Sequence, residues 1–251
     1  MREFGVDEAG KGPVLGSMFA AAVVVDPADL PEDVGDSKTI APERRRELAA
    51  TIREVADAVG VAEITVDRID DDETDMNSLT VAAHVEALEG AVAGLDGEGA
   101  GPVAGPDADD PLSGYVDAGD TNAVRFERRV ADGVDADLSV RGEHGADESY
   151  AVVGAASVVA KVERDAHVAA LADEHGDLGS GYPSDPATRE FLEKYVAREG
   201  ALPPCARASW KTSQDVLADA AQASLREFEP DGGQRTDGGR PEARPTTLDE
   251  F

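Results

Sequence analysis

An α/β fold is predicted, on three observations. Short apolar runs with strand character lie near 2–7, 17–25, 61–66 and 113–118, and between the second, third and fourth of them apolar residues recur at helical spacing. The first run ends in two adjacent carboxylates and a glycine turn, FGVDEAGKGPVLG over residues 4–16. A later stretch, 151–162, is apolar on nearly every side, so as a helix it must be buried through the middle of the domain.

The opening strand carries Asp7 and Glu8. Successive strand side chains point to opposite faces, so both acids converge on one ion only if the strand ends or bulges there. Gly10 and Gly12 permit that break and let backbone N–H groups approach a ligand. The plain alternative is a charged hairpin turn, since Asp, Glu, Gly and Pro are ordinary turn residues. Gly5 to Lys11 also has the spacing of a phosphate-binding P-loop, but Gly12 stands where Ser or Thr would hold Mg²⁺. Pro13 lacks an N–H, and a second strand follows rather than a helix, so a P-loop NTPase is excluded.

Asp26-Pro27 turns the chain into a polar loop that reaches Asp36-Ser37-Lys38. A helix starting near Thr39 or Pro42 carries Leu48, Ile52, Val55 and Val59 on one face, and Gly60 is expected to stop it. After the strand 61–66 and an acidic loop, Asn77 or Ser78 starts a helix with Val81, Val85, Leu88 and Val92 in line. Residues 94–113 turn to Gly, Pro, Ala and Asp without periodicity and read as a mobile surface insertion. A short strand then ends at Asp117, and Asp120-Thr121-Asn122 starts a helix with Val124, Phe126 and Val130. A weakly specified strand is expected near 137–141.

Asp147 stands at the start of a helix running from about Glu148 to Glu174, where the helix dipole favours negative charge. The loop Gly179 to Pro186 caps a helix from Ala187 to Arg198, and another runs from about Lys211 to Phe228. Residues 1–212 are read as one domain, 213–229 as a C-terminal helix and 230–251 as a disordered tail.

Composition bounds the setting. A chain of 251 residues suits one substantial core, and its single cysteine, Cys205, rules out a disulfide framework. With no leader and no apolar run long enough for a bilayer, a soluble cytoplasmic monomer is expected. The formal charge of −30 is spread along the chain rather than gathered in one tail. That pattern suits concentrated salt, where self-repulsion is screened. In such salt the ordinary attraction of basic surfaces to phosphate is already weak, so acidity does not exclude a nucleic-acid partner.

Asp7 with Glu8, Asp117 and Asp147 are isolated acids at strand or helix ends. A sheet with intervening helices can bring such ends together. Four carboxylates without His or Cys form an oxygen-only site suited to Mg²⁺ or Mn²⁺. Two such ions about 4 Å apart can activate water and stabilise the leaving oxygen in phosphodiester cleavage.

The chain resembles ribonuclease HII, the type 2 ribonuclease H, in its archaeal branch, from Phe4 to about Thr212. The likeness rests on FGVDEAGKGPVLGSM, DSK at Asp36, VDAGD at Asp117, EHGADESYAVVGAASVVAKVERD around Asp147, and GSGYPSDPATREFLEKY followed by SWKT. It implies a ribonuclease H-like fold, a five-stranded mixed sheet flanked by helices, with a helical C-terminal region. It also implies that Asp7, Glu8, Asp117 and Asp147 are catalytic and bind two Mg²⁺ or Mn²⁺ ions. The implied activity is endonucleolytic cleavage of RNA in RNA/DNA hybrids and incision 5′ of single ribonucleotides in duplex DNA, leaving 3′-hydroxyl and 5′-phosphate ends.

By the same resemblance the backbone amides of Gly10, Lys11 and Gly12 read the ribose 2′-OH, the group that separates RNA from DNA. Tyr182 stacks near the sugar at the RNA-to-DNA junction, its alternative being a loop aromatic packed on prolines, and Ser37 and Lys38 either contact phosphate or cap the following helix. Lys11 stands where the family commonly has Arg and loses bidentate geometry toward phosphate. Lys161 and Arg164 either face the nucleic-acid backbone or form the solvated edge of the long helix. Trp210 reads as a core or helix anchor, and His144 either assists near the metals or is a surface histidine.

The chain ends RPTTLDEF, in which Leu248 and Phe251 have the spacing of the anchors of a degenerate sliding-clamp-binding box. Two rivals remain at this stage: a non-catalytic nucleic-acid-binding module on the same fold, and a related polynucleotidyl transferase or Holliday-junction nuclease. A complete acid set argues against the first, and single-ribonucleotide incision would separate the second.

Overall fold

A computed structural model of the chain describes residues 1–36, 40–95 and 111–228. Ser37 and Lys38, most of the 94–113 insertion and the tail with Leu248 and Phe251 lie outside the described residues. In chain order the elements are β1 (Glu3–Ala9), β2 (Met18–Val25), α1 (Pro42–Val55), β3 (Ala58–Ile64), α2 (Val66–Ile69), α3 (Met76–Leu95), β4 (Leu112–Asp117) and α4 (Ala123–Gly133). They continue with β5 (Leu138–Glu143), α5 (Ala146–Ser149), α6 (Ala151–His175), α7 (Pro186–Glu199) and α8 (Lys211–Phe228).

The five strands form one mixed sheet in the order β3-β2-β1-β4-β5. β1 is antiparallel to β2, and β2 to β3, whereas β4 runs parallel to both β1 and β5. Strand alternation sorts the core into two layers. Phe4 and Val6 of β1, with Met18, Ala20, Ala22 and Val24 of β2, face α3 and α4. Ala9, Ala21, Val23 and Val25 face α1 and α6. Buried on both faces, β2 consists of apolar residues throughout, which is why its sequence run shows no alternation.

α6 lies close against β1. A side chain at Gly5 would put its Cβ 2.2 Å from the carbonyl carbon of Val152, so only glycine lets the helix backbone come this near. Val152 to Ala160 are buried without a break, as the apolar stretch requires. A third cluster joins the C-terminal helices to the glycine turn, with Val14 and Leu15 packed among Leu178, Leu192, Val196, Cys205 and Val216.

Several elements depart from expectation. α1 ends at Val55, not at Gly60: the Asp57 amide donates to Val24 O at 2.9 Å, so pairing with β2 takes over before Val59. Val59 and Gly60 lie within β3, opposite Val23 and Ala22. A strand residue packed against the core can fall by chance on the helical register that precedes it. β3 accordingly covers 58–64 rather than 61–66, and part of the expected acidic loop is the short helix α2, capped by Thr65.

The long helix is also interrupted. The chain is extended at Tyr150 (φ −125°, ψ 118°), which separates α5 from α6 and leaves Asp147 on the short α5. Tyr150 is held extended by stacking on Tyr115, with ring centroids 3.6 Å apart, and by donating to Glu143 Oε1 at 2.8 Å. Asp147 is therefore positioned by this turn, and four residues carry little helix dipole.

Candidate active site

Asp7 and Glu8 do not sit at a strand end. The β1–β2 ladder continues through both, pairing Asp7 with Ala21, Glu8 with Ala20 and Ala9 with Phe19. Their side chains therefore leave opposite faces of the sheet, Asp7 toward α6 and Glu8 toward α3. The strand neither ends nor bulges at these two acids, and the break comes at Gly10, two residues beyond Glu8, with φ +91°.

On the α6 face, Asp7 is buried and accepts a hydrogen bond from the Ser157 hydroxyl. Ser157 in turn accepts from Lys161 Nζ at 2.6 Å. Lys161 is thus turned inward and adds its positive charge to the surroundings of Asp7. Asp117 ends β4 one step beyond the parallel pair Val6–Val116, on the same face as Asp7. Its Oδ1 accepts from the Ala146 amide at 3.0 Å, which ties β4 to the turn that presents buried Asp147.

These carboxylates share one field. Burial holds the Asp7 carboxyl well above the ordinary carboxylate range, Glu8 and Asp117 add to the effect, and Ser157 and Lys161 oppose it. Asp117 is also raised, by burial first and then by Glu8 and Asp147, against the amides of Ala146 and Gly145. Such a set of hard oxygen donors with mutual repulsion fits a divalent cation of the Mg²⁺ or Mn²⁺ type, which would relieve the repulsion. Among the described residues no three of these side chains converge tightly enough to enclose one ion.

The partner of Glu8 is His84, a residue sequence reasoning missed. Its Nε2 lies 2.9 Å from Glu8 Oε2, its side chain is fully buried, and its ring meets Phe126 edge-on with centroids 5.0 Å apart. The available signal was a lone imidazole on the inner face of α3, where the one other polar side chain, Thr80, bonds back to the Met76 carbonyl of its own helix.

The glycine turn is held from behind by Arg207, also missed. This fully buried side chain donates from Nη2 to Gly10 O at 2.6 Å, from Nη1 to Lys11 O at 3.0 Å and from Nε to Gly16 O at 2.9 Å. Trp210 stacks under the guanidinium, 4.8 Å from it, and donates to Gly12 O at 3.3 Å. Trp210 is thus an anchor, of the turn itself. In trans peptides the N–H points opposite the C=O, so with the Gly10 and Lys11 carbonyls turned inward, the Lys11 and Gly12 amides face the other way.

Tyr182 is 40% exposed, and its ring edge comes within 3.7 Å of where a Gly12 side chain would start. The Gly181 carbonyl accepts from the Val14 amide at 2.8 Å, which locks this loop to the turn. Arg164 lies over the Tyr182 ring at 5.2 Å and donates to Ser180 O, so its largely buried side chain braces the loop. Lys11 reaches across to the Gly119 carbonyl, beside Glu8: a methyl group on Gly119 would lie 2.9 Å from Glu8 Oε1 and 3.4 Å from Lys11 Nζ. His144 is exposed, with Nδ1 3.1 Å from the Ala118 carbonyl, which requires the proton on that nitrogen.

The family model described as Ribonuclease HII matches residues 4–213. The chain is 64% identical over 225 residues to "Ribonuclease HII" of Haloarcula marismortui, covering 90% of this chain and 99% of that protein. Among solved structures it is similar to the ribonuclease H2 from Pyrococcus horikoshii OT3, with TM-score 0.74, 33% identity and coverage of 88% of this chain and 100% of that one. It is also similar to a chain of the PCNA:RNase HII complex from Archaeoglobus fulgidus, with TM-score 0.71, 34% identity and coverage of 85% and 96%.

Proposed function

The chain belongs to the ribonuclease HII family, a family of ribonuclease H enzymes, and on that premise we propose that it hydrolyses the RNA strand of RNA/DNA hybrids and incises 5′ of ribonucleotides embedded in duplex DNA. The observation that carries this reading is the joining of four electrostatically linked carboxylates to a glycine turn whose Lys11 and Gly12 amides are turned outward.

Asp7, Glu8, Asp117 and Asp147 are the residues that would hold two Mg²⁺ or Mn²⁺ ions. When bound, such ions would supply an activated water and charge stabilisation for the departing 3′-oxygen, consistent with 3′-hydroxyl and 5′-phosphate ends. The protein's own part is positioning. Ser157 and Lys161 hold Asp7 from the α6 side, and the Ala146 amide holds Asp117. The Gly10-Lys11-Gly12 turn presents N–H donors to the ribose 2′-OH, and Tyr182 offers a face for the sugar at the RNA-to-DNA junction. Arg207 keeps that turn rigid, so the donors need little reordering when the strand arrives.

By analogy with the relative solved with PCNA, the chain binds a sliding clamp, with Leu248 and Phe251 as anchors. Its place of action is the cytoplasm, in replication and ribonucleotide repair under concentrated salt. Among the described residues no helix is long and apolar enough to cross a membrane.

The test is a gel assay with two substrates, a uniform hybrid and a DNA duplex bearing one ribonucleotide, run across salt concentration with Mg²⁺ or Mn²⁺. Cleavage of both, with a single cut 5′ of the lone ribonucleotide, is expected. Inertness toward both would overturn the reading. Deleting residues 247–251 should weaken binding to the cognate clamp without altering cleavage.

A further inference from the structure

Glu8 and Asp7 are neighbours in β1 that must reach one site from opposite faces of the sheet, so something has to orient Glu8 from the α3 side. We propose that His84 is that positioning residue: its imidazole Nε2–H holds Oε2 of Glu8 and leaves Oε1, the oxygen beside Gly119 and Lys11, to serve the metal site. This rests on the reading of the four acids as metal ligands.

The surroundings of His84 argue that it is kept for this bond. Its side chain has no exposed surface and lies in the apolar layer between α3 and the sheet, where Phe126 fixes the plane of its ring. Its Nδ1 is buried and meets no hydrogen-bond partner among the described residues. An imidazole in such a layer is less favourable than an apolar ring of similar shape unless one strong interaction offsets its desolvation. Among the described residues the Glu8 bond is the only hydrogen bond on the ring, and because a carboxylate oxygen can only accept, it requires the proton on Nε2. Partners of this kind fix the rotamer of a ligating carboxylate and so tune metal affinity. The arrangement mirrors the opposite face, where Ser157 orients Asp7.

The experiment is a calorimetric titration of Mn²⁺ onto metal-stripped full-length protein, with thermal melting in chelator as a second readout. His84→Phe, which keeps the ring and its packing, should weaken Mn²⁺ binding by about 10- to 100-fold. It should raise the Mn²⁺ concentration needed for half-maximal cleavage, while the metal-free melting temperature stays level or rises. His84→Gln, whose amide can reach Glu8 as a donor, should remain close to wild type. Should His84→Phe fail to fold, His84→Met supplies the same loss of the donor with a more adaptable side chain. Wild-type Mn²⁺ affinity in the apolar variant, or equal loss in His84→Gln, would overturn the role of His84 alone. A wild-type protein that takes up no Mn²⁺ would overturn the metal-site reading and this proposal with it.

Discussion

Arg207 Nη2 donates to the carbonyl of Gly10 at 2.6 Å across 197 positions of sequence, and the same guanidinium holds Lys11 O and Gly16 O. Burial pulls its pKa down to about 10, with nearby Arg164 adding to the effect, so it remains a cation at neutral pH. Charge-assisted bonds to three carbonyls make it the link between the helical C-terminal region and the glycine turn.

Removing that link should be felt in stability and at the turn. Arg207→Met is expected to destabilise the fold by about 2–4 kcal/mol, because three carbonyls lose their donor. Arg207→Lys should recover only part of this, since an ammonium cannot reproduce the planar fork. Urea unfolding at fixed salt measures both. Lysine as effective as arginine would show that charge, not geometry, holds the turn.

Asp7 gains nothing in stability from its charge. Asp7→Asn should abolish cleavage, by about 10³-fold or more, while the melting temperature in chelator stays the same or rises, since burial and two neighbouring acids all disfavour its ionised form. Circular dichroism melts beside the gel assay test this. Cleavage near the wild-type rate in Mg²⁺ would rule out Asp7 as a ligand.

Tyr182 offers a partly exposed ring above Gly12, and among the described residues its hydroxyl forms no hydrogen bond. Tyr182→Phe should therefore behave as wild type. Tyr182→Ala should raise KM for the single-ribonucleotide duplex by about 10- to 100-fold, the size of a lost stacking contact. Its effect on stability should be small. Unequal losses for hybrid and single-ribonucleotide substrates would identify which one uses the ring.

Cys205 provides a pH test. Burial raises its thiol pKa from 9.0 to about 11, so the folded state retains a proton that the unfolded chain releases first. The stability this contributes is complete below pH 9 and lost as pH rises from about 9 to 11. In Cys205→Ala the melting temperature should fall less steeply over that window. At pH 8 the folded thiol is almost entirely protonated, so iodoacetamide should label it slowly until denaturant is added.

Much of this architecture could be read along the chain. The apolar runs of β1, β2 and β4 and the long buried α6 stood out because a strand or helix packed on a core repeats its pattern locally. Asp7, Glu8, Asp117 and Asp147 stood out as isolated acids at the ends of such patterns. Val59 and Gly60 were misassigned because four-residue spacing also satisfies alternation, and only pairing with Val23 and Ala22 decides between them. His84 and Arg207 escaped notice for a different reason. Each is one polar residue whose partner lies 76 or nearly 200 positions away, and no local period records such a contact.

The order of residues by itself determined most of the strands, the main helices and the glycine turn, since these follow from backbone preferences and hydrophobic repeats within a few residues. Only the tertiary structure decided that Asp7 and Glu8 leave opposite faces of one unbroken strand, that Lys11 turns to Gly119, and that His84 and Arg207 hold the carboxylate and the turn. Those outcomes depend on which distant groups can satisfy a buried charge or carbonyl once the core has closed, and burial sets that requirement only in three dimensions.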